Sequence, residues 1–489
     1  MKFISMALLL AINAYAIEIT EESLLEYAKK SSPNLDEIES KLLKAQSDYA
    51  QVMDGLGTSV YTGYNHTSTQ ERAVNPFFPV YSPINQYQAG VIKPTKYGVK
   101  AELAVSVDQR SGSSEQQVFE DIHTTIYGLT LTMDLWKDLF GKVTQRKIEN
   151  AKVAYKSAQL QREVEQKTYS VAVRRIYWAL VANNEKKKIS ESLLEASIAQ
   201  TNDAKKRLKA NISDKGEVAR YEAQVAQRKG SLLLLRYERE ALLKQLKDLV
   251  PSLNGKEIAL GSYNLDQTLG EVLSCAALIQ TKKDAPMDFT KYDEVANLLK
   301  EVQKNQTTID STYDDIDISL STTFKQTGLG SDQEGTDRFE GSFQKSLDDI
   351  SDNDRSGFEA ALLVTVPLGK KASNTEDVIK EYNKKRLAAQ IESTQNNIST
   401  THRQISESIK ILGDVIGVQK VNSEQLKIRV ADMRKKYNQA RIQVNDLIQD
   451  QDALFSSDLS IVDTKLNVLS TLLDYFAVFT ETPCSFNRI

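Results

Sequence analysis

Residues 142–210 read KVTQRKIENAKVAYKSAQLQREVEQKTYSVAVRRIYWALVANNEKKKISESLLEASIAQTNDAKKRLKA and contain neither Gly nor Pro. Gly and Pro are the residues that most often interrupt a helix, because Gly loosens the backbone and Pro removes a hydrogen bond. A stretch of this length without either residue has few ways to turn back on itself. It therefore predicts one continuous helix, about 105 Å long at ~1.5 Å per residue.

The same scarcity extends over the whole chain. Of its 489 residues, 9 are Pro and 21 are Gly, below the usual shares of about 5% and 7%. No Pro lies between Pro94 and Pro251, or between Pro367 and Pro483. This distribution disfavours several small α/β domains and favours very long helices.

Charge and residue types exclude several function classes. Lys and Arg number 62 against 66 Asp and Glu, for a net charge of -4, which gives no basic footprint for nucleic acid. Two cysteines, Cys275 and Cys484, are too few for a disulfide scaffold or a Cys-rich zinc site. The three histidines lie far apart in the sequence. We therefore expect no metal site and no cofactor.

The first residues have the pattern of an export signal. Met1–Ala16 reads MKFISMALLLAINAYA, with an early Lys, an apolar run and a final A-x-A. The apolar run is too short to anchor a membrane protein, and no Cys follows for a lipid anchor. We predict cleavage before Ile17 and export of the mature chain. A buried N-terminal helix is the alternative.

Several segments alternate apolar and polar side chains with a period of two, as strands with two different faces require. These segments are residues 99–108 and 127–135 in the first half and 316–321 and 358–366 in the second half. Each lies between a helical segment and a long helical stretch.

The two halves of the chain repeat one plan. Gly141 and Asn211, which bracket the first long helical stretch, are about 70 residues apart, and Gly369 and Ala440 are about 71 apart in the second half. These spacings favour duplication. We predict a signal peptide at 1–16, a first repeat at 17–250, an equatorial linker at 251–290, a second repeat at 291–479 and a tail at 480–489.

The predicted strands are too few to form a closed barrel within one chain. Each repeat offers at least one strand pair, so we expect about four spanning strands per chain, of the kind that form outer-membrane barrels. Four strands cannot close a barrel, and open edges are not tolerated in lipid, so closure would require several chains. The alternative is an ordinary antiparallel sheet that caps a soluble helical rod.

Together these features resemble the TolC-like outer membrane factor family over residues 17–479. The hairpin tips carry the most specific likeness, to the family pattern Y-x-x-G-x-x-x-x-x-D-[VL]-L-x-A-[QE]. The second tip, residues 436–455, reads KYNQARIQVNDLIQDQDALF, and the first tip, residues 207–226, reads RLKANISDKGEVARYEAQVA. Ala440 and Asn211 stand where the family has Gly, and Asn tolerates a positive φ.

The resemblance implies a mainly α fold with a β-barrel portion. Three protomers would each give four strands to a 12-stranded barrel in the outer membrane of a Gram-negative cell. Their duplicated helical hairpins would form an α-barrel across the periplasm. The extra alternating segment near residues 97–108 departs from this pattern, because three spanning strands would put the next helix on the wrong side. It would form extra extracellular structure or pair without spanning.

The implied function is a passive exit duct, a homotrimer working with a periplasmic adaptor (membrane fusion protein) and an inner-membrane pump. Efflux of drugs, efflux of metals and type I protein secretion are not separated by the sequence. An exported periplasmic coiled-coil scaffold or adaptor, without a membrane barrel, is the alternative. We expect no enzyme, because the sequence has no Gly-rich phosphate loop, nucleophile elbow or metal-spaced cluster.

The resemblance also assigns roles at the tips. Asp446 and Gln449 match the pore-constriction positions, although Gln449 replaces the second acid, and Tyr437 matches a position that helps hold the hairpins closed. The alternatives are a solvated helix-start residue for Asp446, stabilised by the helix dipole, and simple packing for Tyr437. The expected adaptor-contact residues are Asn211, Ile212, Ser213, Ala440, Arg441 and Ile442.

In the family arrangement, Cys275 and Cys484 would both lie in the equatorial region, one in the linker and one in the tail. The oxidising periplasm permits a disulfide between them. The alternative is two free thiols.

Overall fold

Within the described residues, four of the nine α-helices account for most of the helical residues. The computed structural model describes residues 17–30, 32–71, 80–113, 118–281, 292–310, 316–330, 339–340, 342–352, 355–366, 373–439, 441–479 and 484. In chain order, the α-helices of this part are α1 (Glu21–Lys30), α2 (Pro33–Asp54), α3 (Lys142–Lys209), α4 (Lys215–Leu249), α5 (Leu265–Thr281), α6 (Tyr292–Asp310), α7 (Phe343–Asp352), α8 (Ser373–Asn438) and α9 (Val444–Val478).

Helix α3 confirms the prediction from the stretch without Gly and Pro, and α8 forms a helix of similar length in a Pro-free stretch although it contains Gly413 and Gly417. Helix α3 has 68 residues and α8 has 66, and each is followed after a short turn by a helix of 35 residues. Near the start of the described chain, α1 and α2 are separate helices, because Pro33 cannot continue α1 but is well suited to the first turn of α2.

The strands form two sheets. They are β1 (Ile17–Ile19), β2 (Ser59–Thr67), β3 (Tyr81–Pro94), β4 (Val99–Ser113), β5 (Val118–Asp134), β6 (Ile258–Leu260), β7 (Asp317–Gly330), β8 (Phe339–Glu340) and β9 (Ser356–Thr365). Strands β1 and β6 pair in parallel. The large sheet has the order β2-β3-β4-β5-β7-β9, and β8 pairs with β5 outside this order.

About four spanning strands per chain were expected, whereas the large sheet of the described chain has six strands in its main order. The additional hairpin is β3–β4. It is inserted between β2 and β5, and β4 pairs with β5 from Val99↔Met133 to Ser113↔Val118. The extra alternating segment is therefore a full member of the sheet. Because β3 accompanies it, the first half has an even number of strands, and the problem of a helix starting on the wrong side does not arise.

Gly141 marks the change from strand to helix, as predicted. Its φ is +75°, and a Cβ on it would lie 2.1 Å from the carbonyl oxygen of Lys96, so only Gly fits this position. The Asp138 carboxylate then accepts hydrogen bonds from the backbone N–H groups of Val143 and Thr144, which caps the start of α3. The corresponding segment at Gly369 lies outside the described residues, as do the signal-like residues 1–16.

The chain divides into two compact units. The first comprises Met1–Leu42, Gln159–Ala296 and Glu392–Ile489, and the second comprises Leu43–Ala158 and Asn297–Ile391. The second unit contains the large sheet. The core of the first unit gathers apolar side chains from β1, α1, α5, the middle parts of α3 and α8 and the C-terminal parts of α4 and α9.

A disulfide closes this core. Cys275 of α5 and Cys484 of the tail are bonded, which decides between the disulfide and the two free thiols that the sequence left open. Both residues are buried among the apolar side chains of the first unit. The bond thus fixes the last described residue of the chain to a segment 209 residues earlier in the sequence.

Helix α7 lies between β8 and β9 in the sequence. It packs on β7, where the absence of a side chain at Gly328 makes room for the backbone of Ser346. The hydroxyl groups of Thr125 and Ser346 lie 2.6 Å apart in this contact, and both residues are fully buried.

Candidate functional site

The first candidate region is the pair of hairpin turns in the first unit. The turn from α3 to α4 contains Asn211, whose φ of +55° confirms the positive φ expected where the family has Gly. The N–H of Ile212 donates to the carbonyl of Arg207, and Asp214 caps α4 by accepting from the N–H of Glu217 at 2.7 Å. A backbone carbonyl at the end of α3 and a backbone N–H at the start of α4 thus both have hydrogen-bond partners in the turn.

The turn from α8 to α9 is closed by the N–H of Arg441, which donates to the carbonyl of Lys436 at 2.9 Å. Helix α9 then begins at Val444. The predicted contact residue Ala440 lies outside the described residues. Arg441 is exposed, whereas Ile442 is half-buried and packs against the apolar cluster between the two turns.

Tyr437 joins the two hairpins. Its hydroxyl donates a hydrogen bond to Oε1 of Glu217 at the start of α4, and its ring meets Tyr221 edge-to-face, with centroids 6.5 Å apart. The Arg207 guanidinium lies 4.9 Å from the Tyr437 ring centroid, a distance suited to a cation–π contact. Burial and the bond to Glu217 raise the pKa of Tyr437, so the phenol remains a donor at neutral pH.

The apolar cluster beneath Tyr437 draws on all four helices of the two hairpins. Tyr437 is almost fully buried there, which agrees with a role in packing as well as in hydrogen bonding. The buried members are Ala204, Val218, Tyr221, Tyr437, Val444 and Leu447.

Asp446 and Gln449 do not take part in this cluster. Both lie on the exposed side of α9, while Leu447 between them is buried. Because they are three residues apart in a helix, their side chains share one face. Asn211 and Ile212 are exposed at the other turn, and Ser213 is half-buried.

Two ion pairs, each with one buried member, follow the cluster along the helices. Arg228 of α4 is only 3% exposed, pairs with the more exposed Asp452 of α9 and lies 4.7 Å from the ring centroid of Phe455. The exposed Arg429 of α8 pairs with the buried Asp450 of α9 at 2.9 Å. Removing the exposed partner of either pair would leave a buried charge uncompensated.

Tyr221 and Arg228 were not among the site residues predicted at the hairpin tips. A signal for them was present, because Glu217, Tyr221, Gln224 and Arg228 recur at the three- and four-residue spacing of one helix face. Polar residues at this spacing on a buried face predict hydrogen-bonding partners on another helix. The periodicity does not reveal which residues these partners are, because they lie more than 200 positions further along the sequence.

The second candidate region is the large sheet of the second unit, whose two faces differ in chemistry. Directly paired residues of an antiparallel sheet lie on the same face. One row crosses all six strands and is apolar throughout, and its side chains are between 38% and 77% exposed. This row consists of Val60, Val91, Leu103, Leu129, Phe324 and Phe358.

The opposite face is mainly polar. On it, the hydroxyl of Tyr61 donates to Oε1 of Glu102 at 2.7 Å, and the hydroxyl groups of Thr130 and Thr323 lie 2.9 Å apart. The adjacent row on this face consists of Ser59, Ile92, Glu102, Thr130, Thr323 and Glu359.

The described residues contain neither a candidate metal site nor a helix that could cross a membrane. Within the described part of the chain, no group of three or more His, Cys, Asp or Glu side chains is placed to hold a metal ion. Among the described helices, none combines the length and the apolar character needed to cross a membrane.

Comparison with known proteins gives a clear result at the level of structure. No protein-family model matches the sequence, and no curated protein is similar to it. The outer membrane protein VceC of Vibrio cholerae has 14% identity and a TM-score of 0.63, over 94% of this chain and 96% of VceC. The Campylobacter jejuni outer membrane channel CmeC has 12% identity and a TM-score of 0.61, over 94% and 85% of the two chains.

The outer membrane channel MtrE of Neisseria gonorrhoeae, solved in its open state, is a third similar structure. Its identity is 13% and its TM-score 0.60, over 94% of this chain and 88% of MtrE. These neighbours are outer membrane proteins and channels. The likeness extends over nearly the whole chain, and the protein therefore has the fold of the TolC-like outer membrane factors.

Proposed function

We propose that the protein is a trimeric outer-membrane channel-tunnel, the exit duct of a tripartite efflux pump or type I secretion system. The observation that carries this proposal is the large sheet with its two unlike faces. An exposed apolar row across six strands suits contact with lipid, and the mainly polar opposite face suits a water-filled lumen.

The hairpin tips are the proposed gate. Opening requires the two hairpins of each protomer to separate, and this would break the hydrogen bond from Tyr437 to Glu217 and uncover the apolar cluster. The ion pair between Arg228 of α4 and Asp452 of α9 lies further along the helices and joins the two hairpins. It would resist their separation there, so that movement is concentrated at the turns.

Asp446 and Gln449 are the proposed constriction residues. They share the exposed face of the first turns of α9, and in a trimer this face would bring three Asp446 carboxylates together. Like charges at short range resist joint ionisation and attract cations. The mouth would therefore hold cations, with only one acidic ring because Gln449 is uncharged.

The turns themselves are the proposed contact for a periplasmic adaptor. Ile212 is an apolar side chain that is 68% exposed at the end of the first hairpin, beside the exposed Asn211 and the half-buried Ser213. Exposed Arg441 occupies the second turn. An adaptor with a complementary apolar and acidic tip would dock there, and the inner-membrane pump would supply the energy.

The remaining expectations are part of the same proposal. Residues 1–16 would direct export and be removed, and the repeats at 17–250 and 291–479 would be joined by the linker at 251–290. The transported substrate would be chosen by the pump and adaptor.

Cell fractionation tests the proposal. We expect the protein in the outer membrane, extractable only with detergent and with the mass of a trimer. Recovery as a soluble periplasmic protein would contradict the channel and support the exported scaffold instead.

A further inference from the structure

The β3–β4 hairpin has the same two-faced character as the strands on either side of it. Val91 of β3 and Leu103 of β4 lie in the apolar row between Val60 and Leu129. Glu102, the next residue along β4, lies on the polar face. A hairpin outside the membrane would not need an apolar face in register with its neighbours, so this pattern indicates that β3 and β4 meet the same surroundings as β5 and β7.

The position of the hairpin within the sheet supports the same conclusion. Strands β3 and β4 do not lie at an edge, because β2 pairs with β3 and β5 pairs with β4. Twelve residue pairs join β3 to β4 and fourteen join β4 to β5. Removing the hairpin from the wall would break the hydrogen bonds of both neighbours, which is costly in lipid.

The two edges of the sheet are complementary to each other. Strand β2 has 9 residues and β9 has 10, and in the described chain neither has a strand on its outer side. All neighbours in the main order are antiparallel, so the first and sixth strands run in opposite directions. The β9 edge of one copy can therefore pair antiparallel with the β2 edge of the next, which would satisfy both edges.

We propose that all six strands form the membrane wall and that three copies close an 18-stranded barrel. This inference rests on the proposed function, because it assumes the outer membrane and the trimer. Barrel diameter grows roughly in proportion to strand number, and barrels of about 16–18 strands leave an aqueous channel. The outlet would be wide and lined by polar side chains, so selection of solutes would occur at the helix tips.

Thiol accessibility tests the place of the hairpin in the wall. Leu103 and Leu129 are directly paired on the apolar face, one in the inserted hairpin and one in β5. Cys275 and Cys484 are bonded to each other and leave the labelling background low. We expect Leu103→Cys and Leu129→Cys both to be protected from a water-soluble maleimide in outer membranes, and Ala104→Cys on the polar face to be labelled.

The pair of variants separates two kinds of failure. Labelling of Leu103→Cys with protection of Leu129→Cys would overturn the six-stranded wall and leave the membrane channel intact. Labelling of both would contradict the membrane channel itself. Only the trimeric, membrane-inserted fraction is scored, so that misfolded protein does not contribute.

Disulfide cross-linking tests whether β9 of one copy pairs with β2 of the next and so closes the barrel. The edges of one chain are five strand spacings apart, roughly 24 Å, so a cysteine on β2 and one on β9 cannot bond within that chain. We expect Val60→Cys combined with Phe358→Cys, Ala360→Cys or Leu362→Cys to give covalent trimers in at least one combination. Absence of a cross-linked trimer in all three would overturn closure through these edges.

Discussion

The hydroxyl of Tyr437 donates a hydrogen bond to the carboxylate of Glu217, which joins the α8–α9 turn to the α3–α4 turn. The two residues are 220 positions apart in sequence and belong to the two halves of the chain. A phenol held by a half-buried carboxylate makes a charge-assisted hydrogen bond, which is stronger than one between neutral groups. This contact is where we expect the closed tip to be most sensitive to substitution.

Tyr437→Phe should favour the open tip. The variant keeps the ring that packs on Tyr221 and Arg207 but leaves the carboxylate of Glu217 without its donor. Loss of a hydrogen bond to a charged group costs about 1.5–3 kcal/mol, so the open population should rise by roughly tenfold or more. Single-channel recording in planar bilayers measures this change. Tyr237→Phe, at an exposed position of α4, is the matched control, and equal conductance of the two variants would rule out a gating role.

Asp446→Ala should weaken block of the channel by divalent cations. The exposed carboxylate is the proposed source of the negative ring, and its removal leaves only neutral Gln449 on that face of α9. Titration of the conductance with Mg²⁺ before and after the substitution gives the comparison. Asn445→Ala, at the adjacent exposed position, controls for a change in helix α9. Unchanged block in Asp446→Ala would disprove the ring.

Removal of the disulfide should destabilise the first unit. The Cys275–Cys484 bond closes a loop across 209 residues, and chain entropy alone assigns a loop of this length about 5 kcal/mol, an upper value. Cys275→Ser combined with Cys484→Ser should therefore unfold at a clearly lower temperature than the oxidised wild type, and at about the same temperature as the reduced wild type. Two free thiols in the unreduced wild type would contradict the bond.

Gly328→Ala should release α7 from the sheet. A Cβ at this position would lie 2.0 Å from the carbonyl oxygen of Ser346, so the helix has to move. Amide hydrogen exchange of residues 343–351 should become faster, and the rest of the sheet should keep its protection. Gly128→Ala is the control in the same sheet, because its nearest atom beyond the chain neighbours lies 4.0 Å away. Equal protection of α7 in both variants would show that the close contact does not hold the helix.

The helices were predictable because their signal is local. Absence of Gly and Pro over 142–210 predicted α3 to within one residue of its end at Lys209, and Gly141 predicted where the helix begins. The turn at Asn211 was predictable for a similar reason, since the positive φ of a helix end favours Gly or Asn. Such features depend on a few neighbouring residues.

Strand β3 was not predictable in the same way, because its alternation is blurred. Ile84 and Ile92 lie on the polar face, and Asn85 and Lys93 lie on the apolar face. Its membership of the sheet is determined by backbone pairing with β2 and β4. Strand β2 was also missing from the alternating segments, so two missed strands, β2 and β3, change the strand count from four to six and with it the expected width of the barrel.

Contacts between segments far apart in the chain could also not be predicted from the sequence. The residue type of Tyr437 was recognised from the family pattern, but its partner Glu217 depends on how two hairpins pack together. The cysteines were an exception, because a chain with only two leaves a single pairing within one molecule.

The conductance of the purified protein tests the central claim most directly. Wild-type protein, extracted from outer membranes in mild detergent and added to a planar lipid bilayer, should insert as a trimer and give discrete, long-lived current steps. Protein that remains soluble without detergent and gives no current steps, although it is folded, would contradict the account of this chain as an outer-membrane channel.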